Sequence, residues 1–328
     1  MPKSGSQVPH CNLPVRFDTY EGCSHACAYC FVKRKNTLAV GNGEGTDALR
    51  RFISGERTQQ TNWCDWDIPL HWGGMSDPFQ PVERERKRSL EALKIFAETQ
   101  YPFVVSTKSD LIAEEPYLSL IKSCNCVVQF SAVCPEYDGY ERGAASFERR
   151  LAAAAAISPY KRVIMRMQPY VPQVFLQALK SLRLFKAVGV YGVTVEGMKY
   201  VTKRPGTIKL GGDFVYPKQL LMDQFIELRK AAHSLGIKFY CAENRLRNLG
   251  DSLCCCGIDG MGWRDNKANL MSYLYDAQNF AFSEAQMKPG TGGVFRAIHQ
   301  NPLYNKFAAS ASFRDCMMKE IETNSLVK

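Results

Sequence analysis

Three cysteines, Cys23, Cys27 and Cys30, stand at C-x3-C-x2-C spacing within the stretch Glu21-Gly22-Cys23-Ser24-His25-Ala26-Cys27-Ala28-Tyr29-Cys30-Phe31. Four cysteines close an iron-sulfur cluster, so a loop that dedicates three leaves one iron without a protein ligand and open to a small molecule. An open metal position usually means chemistry, as it does for zinc. The competing reading is a zinc site completed by His25 or His10. Zinc sites, however, favour ligands grouped in pairs, which this spacing does not provide.

With Tyr29 directly before the last cysteine, the loop resembles the signature loop of the radical S-adenosylmethionine (SAM) enzymes. That resemblance implies a [4Fe-4S] cluster on Cys23, Cys27 and Cys30, SAM chelated to the open iron, and Tyr29 near the adenine. It also implies an electron donor such as a flavodoxin or ferredoxin, and a 5'-deoxyadenosyl radical as the reactive product. About 50 residues on come His71-Trp72-Gly73-Gly74-Met75-Ser76-Asp77-Pro78-Phe79-Gln80-Pro81 and Glu83. Paired glycines let backbone carbonyls approach a ligand closely. The stretch is similar to the T-D-P-Y-Q-P-x-E segment of proteins related to spore photoproduct lyase, and the resemblance implicates Gly73, Gly74, Ser76 and Asp77 in holding SAM.

These groups need a scaffold, and the chain offers short apolar strands alternating with helical patterns. Strands are expected at Leu13 to Asp18, Ile68 to Trp72, Phe103 to Ser106, Val127 to Ser131, Val163 to Met167, Val190 to Val195 and Ile237 to Cys241. Helices are expected at Val82 to Glu98, Phe147 to Ile157, Gln173 to Ala187 and Pro217 to Leu235, with another beginning near Val32. The glycines of 41–45 lack the Lys-Ser/Thr of a phosphate loop and read as a connection. Such alternation predicts an α/β fold with parallel strands and crossover helices. Six strand-helix units resemble the partial (β/α)6 TIM-type barrel of radical SAM enzymes. The expected organisation is an N-terminal arm over 1–12, the barrel over 13–236 and a cysteine-containing C-terminal extension over 237–328.

Ligands of such barrels sit at the carboxyl ends of the strands. The third strand ends in Ser106-Thr107-Lys108-Ser109, similar to the T-K-S segment of the same relatives. Lys108 there could meet a carboxylate or phosphate, or be a surface charge. Arg166, inside an apolar strand, needs a partner when buried, and SAM's carboxylate is one candidate. Gln168 suits the ribose. Glu196 could bind substrate or pair with an arginine. Arg150 matches a helical Arg-Leu segment of the relatives in which an arginine reaches toward SAM. Spore photoproduct lyase-like chemistry returns hydrogen from a cysteine, and Cys134 is the guess for that donor.

A second cysteine group, Cys241 with Cys254-Cys255-Cys256, follows the barrel. An auxiliary iron-sulfur cluster is one reading and buried reduced thiols the other. Cys11, Cys64, Cys124, Cys126 and Cys316 show no partner pattern and read as structural. Thirteen cysteines in a chain of 328 residues without an apolar leader fit a cytoplasmic, reducing setting better than a disulfide scaffold. No apolar run approaches the roughly 18 residues of a membrane span.

The formal charge of +10 favours a polyanionic partner. The expected activity is therefore hydrogen abstraction from a nucleic acid base or nucleotide, as DNA base modification or repair. A small metabolite or peptide is the alternative substrate, and a non-enzymatic metal-cluster protein that binds nucleic acid the alternative class.

Overall fold

The fold is that of a computed structural model of the chain, which describes residues 1–4, 13, 15–30, 39–56, 58, 61, 69–252 and 254–263. His10, Cys11, Cys64, Cys316, the helix expected near Val32 and the extension from 264 lie outside the described residues.

Seven parallel strands, β1 (Val15–Phe17), β2 (Leu70–Trp72), β3 (Phe103–Thr107), β4 (Cys126–Ser131), β5 (Arg162–Tyr170), β6 (Gly192–Gly197) and β7 (Lys238–Cys241), lie side by side in chain order. The strand Lys3–Ser4 adds an antiparallel edge beside β1. Among the described residues, six helices of seven residues or more connect the seven: α1 (Thr46–Ile53), α2 (Arg88–Thr99), α3 (Tyr117–Ser123), α4 (Phe147–Ile157), α5 (Phe175–Ala187) and α6 (Lys218–Ser234). Right-handed crossovers between strands that follow chain order put every helix on one face, which curves the sheet into a partial barrel. The expected α/β partial barrel is thus present. β7 pairs with β6 from Lys238 against Gly192 to Cys241 against Val195, so the sheet continues past residue 236.

Side chains alternate between the faces of a strand. Phe17, Trp72, Val105, Val128, Met165, Val193 and Phe239 meet the helices in the main core. Trp72 anchors one end of it, with ring centroids 5.7 Å from Phe17, 5.5 Å from Phe96 and 5.7 Å from Phe103. Each such pair contributes about 0.5–1.5 kcal/mol beyond its buried area. On the inner face, Val104, Val127, Ile164 and Tyr240 form a second apolar cluster toward the amino ends of the strands.

Residues 254–263 lie across that lower end. Cys254 and Ile258 join the cluster, and Gln129 Nε2 donates to the Cys256 carbonyl at 3.1 Å. Arg162 donates to the carbonyls of Gly257 and Asp259, both at 2.7 Å.

The sequence patterns are redrawn in four places. The helix expected from Val82 to Glu98 is two pieces, Glu83–Arg86 and α2, broken at Lys87 with φ 50°. Helices α1 and α3 carry no expectation. Gly41–Asn42 pairs with Tyr20–Glu21 before leading into α1. A three-stranded antiparallel flap, Lys199–Tyr200, Ile208–Leu210 and Asp213–Val215, is inserted between β6 and α6.

Candidate active site

From β1 the chain enters the cysteine loop at the carboxyl end of the sheet. Gly22 at φ 78° and Ala26 at φ 50° turn it in the left-handed region. Ala28 N donates to the Tyr140 carbonyl at 2.7 Å and Cys30 N to that of Cys27 at 3.1 Å. Cys27 is buried, Cys23 and Cys30 are half-buried, and all three are free thiols. Burial pushes the Cys23 thiol up to about 12 and the Cys27 thiol up to about 11. Binding a metal there must displace protons.

His25, one of the two candidate fourth ligands of a zinc site beside His10, is held by its Nδ1 and faces a carboxylate. Its Nδ1 donates to the Gly143 carbonyl at 2.7 Å, and its Nε2 lies 3.1 Å from Asp77 Oδ2. Among the described residues, no three His, Cys, Asp or Glu side chains converge to hold one metal ion. Cluster thiolates bind separate irons and have no such need to converge. The donor set, three thiols with the neighbouring histidine engaged, fits a cluster with one open iron.

Asp77 joins three elements. Its carboxylate accepts from Phe79 N at 2.9 Å, Thr107 Oγ1 at 2.8 Å and Lys108 N at 2.6 Å, besides facing His25. Burial alone would raise its pKa, but His25 and these donors outweigh it and hold the carboxyl below its ordinary value. Ser76 Oγ donates to the Tyr20 carbonyl at 2.6 Å. Gly73 has φ 88°, and a Cβ there would stand 2.4 Å from the Ser106 carbonyl oxygen, so only glycine lets β3 approach so closely. Gly74 lies beside the His71 ring, 3.5 Å from where its own Cβ would be.

The inner face carries a continuous polar ladder. His71 Nε2 lies 3.0 Å from Ser106 Oγ, which donates to Gln129 Oε1 at 3.0 Å and accepts from Arg166 at 2.9 Å. Arg166 also donates to Gln168, and Gln168 to Glu196. Lys199 pairs with the other Glu196 oxygen at 2.5 Å. Burial first, then Arg166 and Arg16, push His71 down to about 3, so it is neutral. Thr194, in register beside Arg166, is buried with no hydrogen-bond partner for its hydroxyl. A buried unsatisfied hydroxyl costs stability unless a ligand meets it.

Tyr29 donates to Glu141, and its ring lies 6.1 Å from that of Tyr137 and 5.8 Å from Lys108 Nζ. Arg150 is fully buried. It pairs with Glu141 at 2.6 Å and Asp138 at 3.0 Å, and donates to the Ser131 carbonyl. Arg150 therefore orients the carboxylate that orients Tyr29.

Cys134 follows β4, fully buried in the main core, with its thiol pushed up to about 12 by burial and Glu136. A donor role would require its sulfur, which has no exposed surface, to be uncovered first. Cys241 belongs to the helix-side core and Cys254 to the inner cluster, on opposite faces of the sheet. Cys255 Sγ lies 3.8 Å from Cys256 Sγ. A hydrogen bond from Cys256 outweighs burial and, with Arg247 close by, brings the Cys255 thiol down to about 5. Cys124 and Cys126 are buried in the main core.

His71, Gln129, Thr194 and Glu141 were not singled out from sequence. The signal was available for three of them: a polar residue at every second position of an otherwise apolar strand, as in Met165-Arg166-Met167-Gln168, marks an inward polar face.

No protein-family model and no curated protein sequence matches the chain. Solved structures do. Spore photoproduct lyase complexed with dinucleoside spore photoproduct matches with TM-score 0.57 and 14% identity, covering 70% of this chain and 77% of that one. A variant of it with bound AdoMet and the same dinucleoside matches with TM-score 0.55 and 13% identity, covering 70% and 76%. A further variant matches with TM-score 0.58 and 14% identity, covering 70% and 77%. The sheet that presents the cysteine loop and the polar ladder has the fold of spore photoproduct lyase.

Proposed function

We propose that the chain is a radical SAM enzyme acting on a nucleic acid base or nucleotide. The observation that carries the reading is the loop of Cys23, Cys27 and Cys30 at the carboxyl mouth of a sheet with this fold, its histidine already engaged. When bound, a [4Fe-4S] cluster supplies one-electron reduction of SAM to a hydrogen-abstracting carbon radical. The three thiolates hold it, and an electron donor such as a flavodoxin or ferredoxin feeds it.

The chain's own residues orient and enclose. Gly73 and Gly74 offer backbone to the SAM amino group, Arg166 faces its carboxylate and Gln168 its ribose. Tyr29, fixed through Glu141 and Arg150, stands beside the adenine, with Lys108 over its ring. Ser76, Asp77 and Ser106 keep these loops in register. The unsatisfied Thr194 hydroxyl remains for substrate, with Glu196 held nearby by Gln168 and Lys199. Residues 254–263 keep water from the lower end.

A nucleic acid substrate is supported by the charge of +10 and by the flap, whose exposed Lys199, Lys203, Arg204 and Lys209 follow directly from β6. The dinucleoside bound by structural neighbours points the same way. Anaerobic reconstitution with iron and sulfide, then reduction with SAM, should release 5'-deoxyadenosine. An intact cluster that releases none sinks the enzyme reading in favour of a cluster protein without this activity. Cys27→Ala should lose cluster and cleavage together while staying folded. DNA binding should weaken steeply with salt. Salt-insensitive or absent binding reassigns the substrate to a small metabolite or peptide. Iron at about four per chain would fit one cluster, in line with Cys241 and Cys254 belonging to opposite faces of the sheet, and about eight would require an auxiliary cluster that draws Cys241, Cys254, Cys255 and Cys256 together.

A further inference from the structure

Asp77, Gln80 and Glu83 recur at intervals of three, and all three are buried. Each reaches back to the stretch that enters or forms the cysteine loop. Asp77 faces His25 at 3.1 Å. Gln80 spans the backbone on either side of Cys23: its Oε1 accepts from Ser24 N at 2.8 Å and Ser24 Oγ at 3.2 Å, and its Nε2 donates to the Gly22 carbonyl at 3.2 Å. Glu83 accepts from the Tyr20 hydroxyl and Ser89 N on one oxygen, and from the Tyr117 hydroxyl and Leu90 N on the other.

We propose that these three residues form a strap that holds the cysteine loop in its metal-binding shape before any metal arrives, with Gln80 as its central positioning residue. What the loop binds rests on the function proposed above; that it is held does not. Glu83 fixes two things at once, the start of α2, whose first amides it caps, and Tyr20, which leads into the loop. Asp77 fixes the far side through His25. Between them a group must serve both an amide hydrogen and a carbonyl oxygen one residue either side of a ligand. A primary amide offers a donor and an acceptor together, whereas a carboxylate only accepts and a thioether offers almost nothing. The loop otherwise turns through two left-handed residues, Gly22 and Ala26, a conformation a free segment would leave. Holding it places the ordering cost on folding instead of on metal binding.

The test is alkylation of the metal-free full-length chain, read thiol by thiol by mass spectrometry. Gln80→Met, of similar volume, should raise the rates at Cys23, Cys27 and Cys30 about tenfold or more, and reconstituted iron should fall by about half or more. Cys134 and Cys241, buried in the core, should not follow, which separates a loosened loop from a destabilised protein. Gln80→Glu retains the acceptor toward Ser24 and should lie between wild type and Gln80→Met. Ser181→Ala, a buried hydroxyl lost on α5, should leave the loop thiols unchanged. Loop rates equal to wild type in Gln80→Met, or rising only in parallel with the core thiols, overturn the strap. If Gln80→Met fails to fold, Gln80→Glu decides alone, and wild-type loop rates in it overturn the proposal. Failure of the wild-type chain to take up iron would overturn the cluster reading and leave the alkylation comparison able to decide the strap.

Discussion

Replacing Arg150 by methionine is expected to be among the most damaging single changes in the barrel. Its side chain is 1% exposed and that of Glu141 is 3% exposed, at a separation of 2.6 Å. Methionine fills the volume but leaves the Glu141 carboxylate buried with only the Tyr29 hydroxyl against it. Breaking a buried pair from one side costs about 3–5 kcal/mol, because the remaining charge has lost its counter-charge without regaining water. Asp138, with its side chain 36% exposed, regains solvent and adds little. Set against a total stability of about 5–15 kcal/mol, the loss should be plain in denaturant unfolding followed by tryptophan fluorescence. Adding Glu141→Gln removes the stranded charge and should restore about 2 kcal/mol or more. The single variant should also loosen Tyr29 and lower affinity for SAM. An Arg150→Met protein within about 1 kcal/mol of wild type would refute the reasoning, since it would mean that water reaches Glu141.

Further expectations concern titration and shape. His71 sits at about 3 in the folded chain against an ordinary 6.5, so the unfolded chain takes up the proton first. Its contribution to stability is whole above about pH 6.5 and declines toward about pH 3, by up to about 1.4 kcal/mol per pH unit. His71→Gln should flatten that part of the pH–stability curve, and an unchanged slope would count against the assignment. Gly73→Ala meets both a positive φ and the Ser106 carbonyl, so a loss of about 2–4 kcal/mol in unfolding free energy is expected. Cys255, brought down to about 5, should react with iodoacetamide at pH 6 ahead of Cys134, which burial holds at about 12. The reverse order would show Cys255 to be protonated or sealed.

What could be read from the chain beforehand divides along a physical line. The cysteine spacing, the order of the seven strands and the glycines after β2 are local patterns, and each stands where the sequence suggested. The ladder was hidden because it exists only in register: Ser106 meets Gln129 across β3 and β4, and Arg166 stands beside Thr194 across β5 and β6. Arg150 shows the other difficulty. A resemblance pointed it toward SAM, but only burial beside Glu141 and Asp138 reveals its link to Tyr29 through the Glu141 carboxylate. The break at Lys87 is tertiary as well. Val82 to Glu98 reads as one helix until Glu83, in the short first piece, takes the first amides of α2 for itself.

The segment that crosses beneath the strands has a kinetic consequence. Among the described residues, Cys254, Ile258 and the Arg162 contacts cover the lower end of the inner face, so a ligand that reaches the ladder from the carboxyl end has the same way out. Whatever lies deepest must enter first and leave last. A small ligand on the Arg166 ladder and a larger one at the flap would then bind in compulsory order, and a product still seated at the mouth would trap the small ligand behind it.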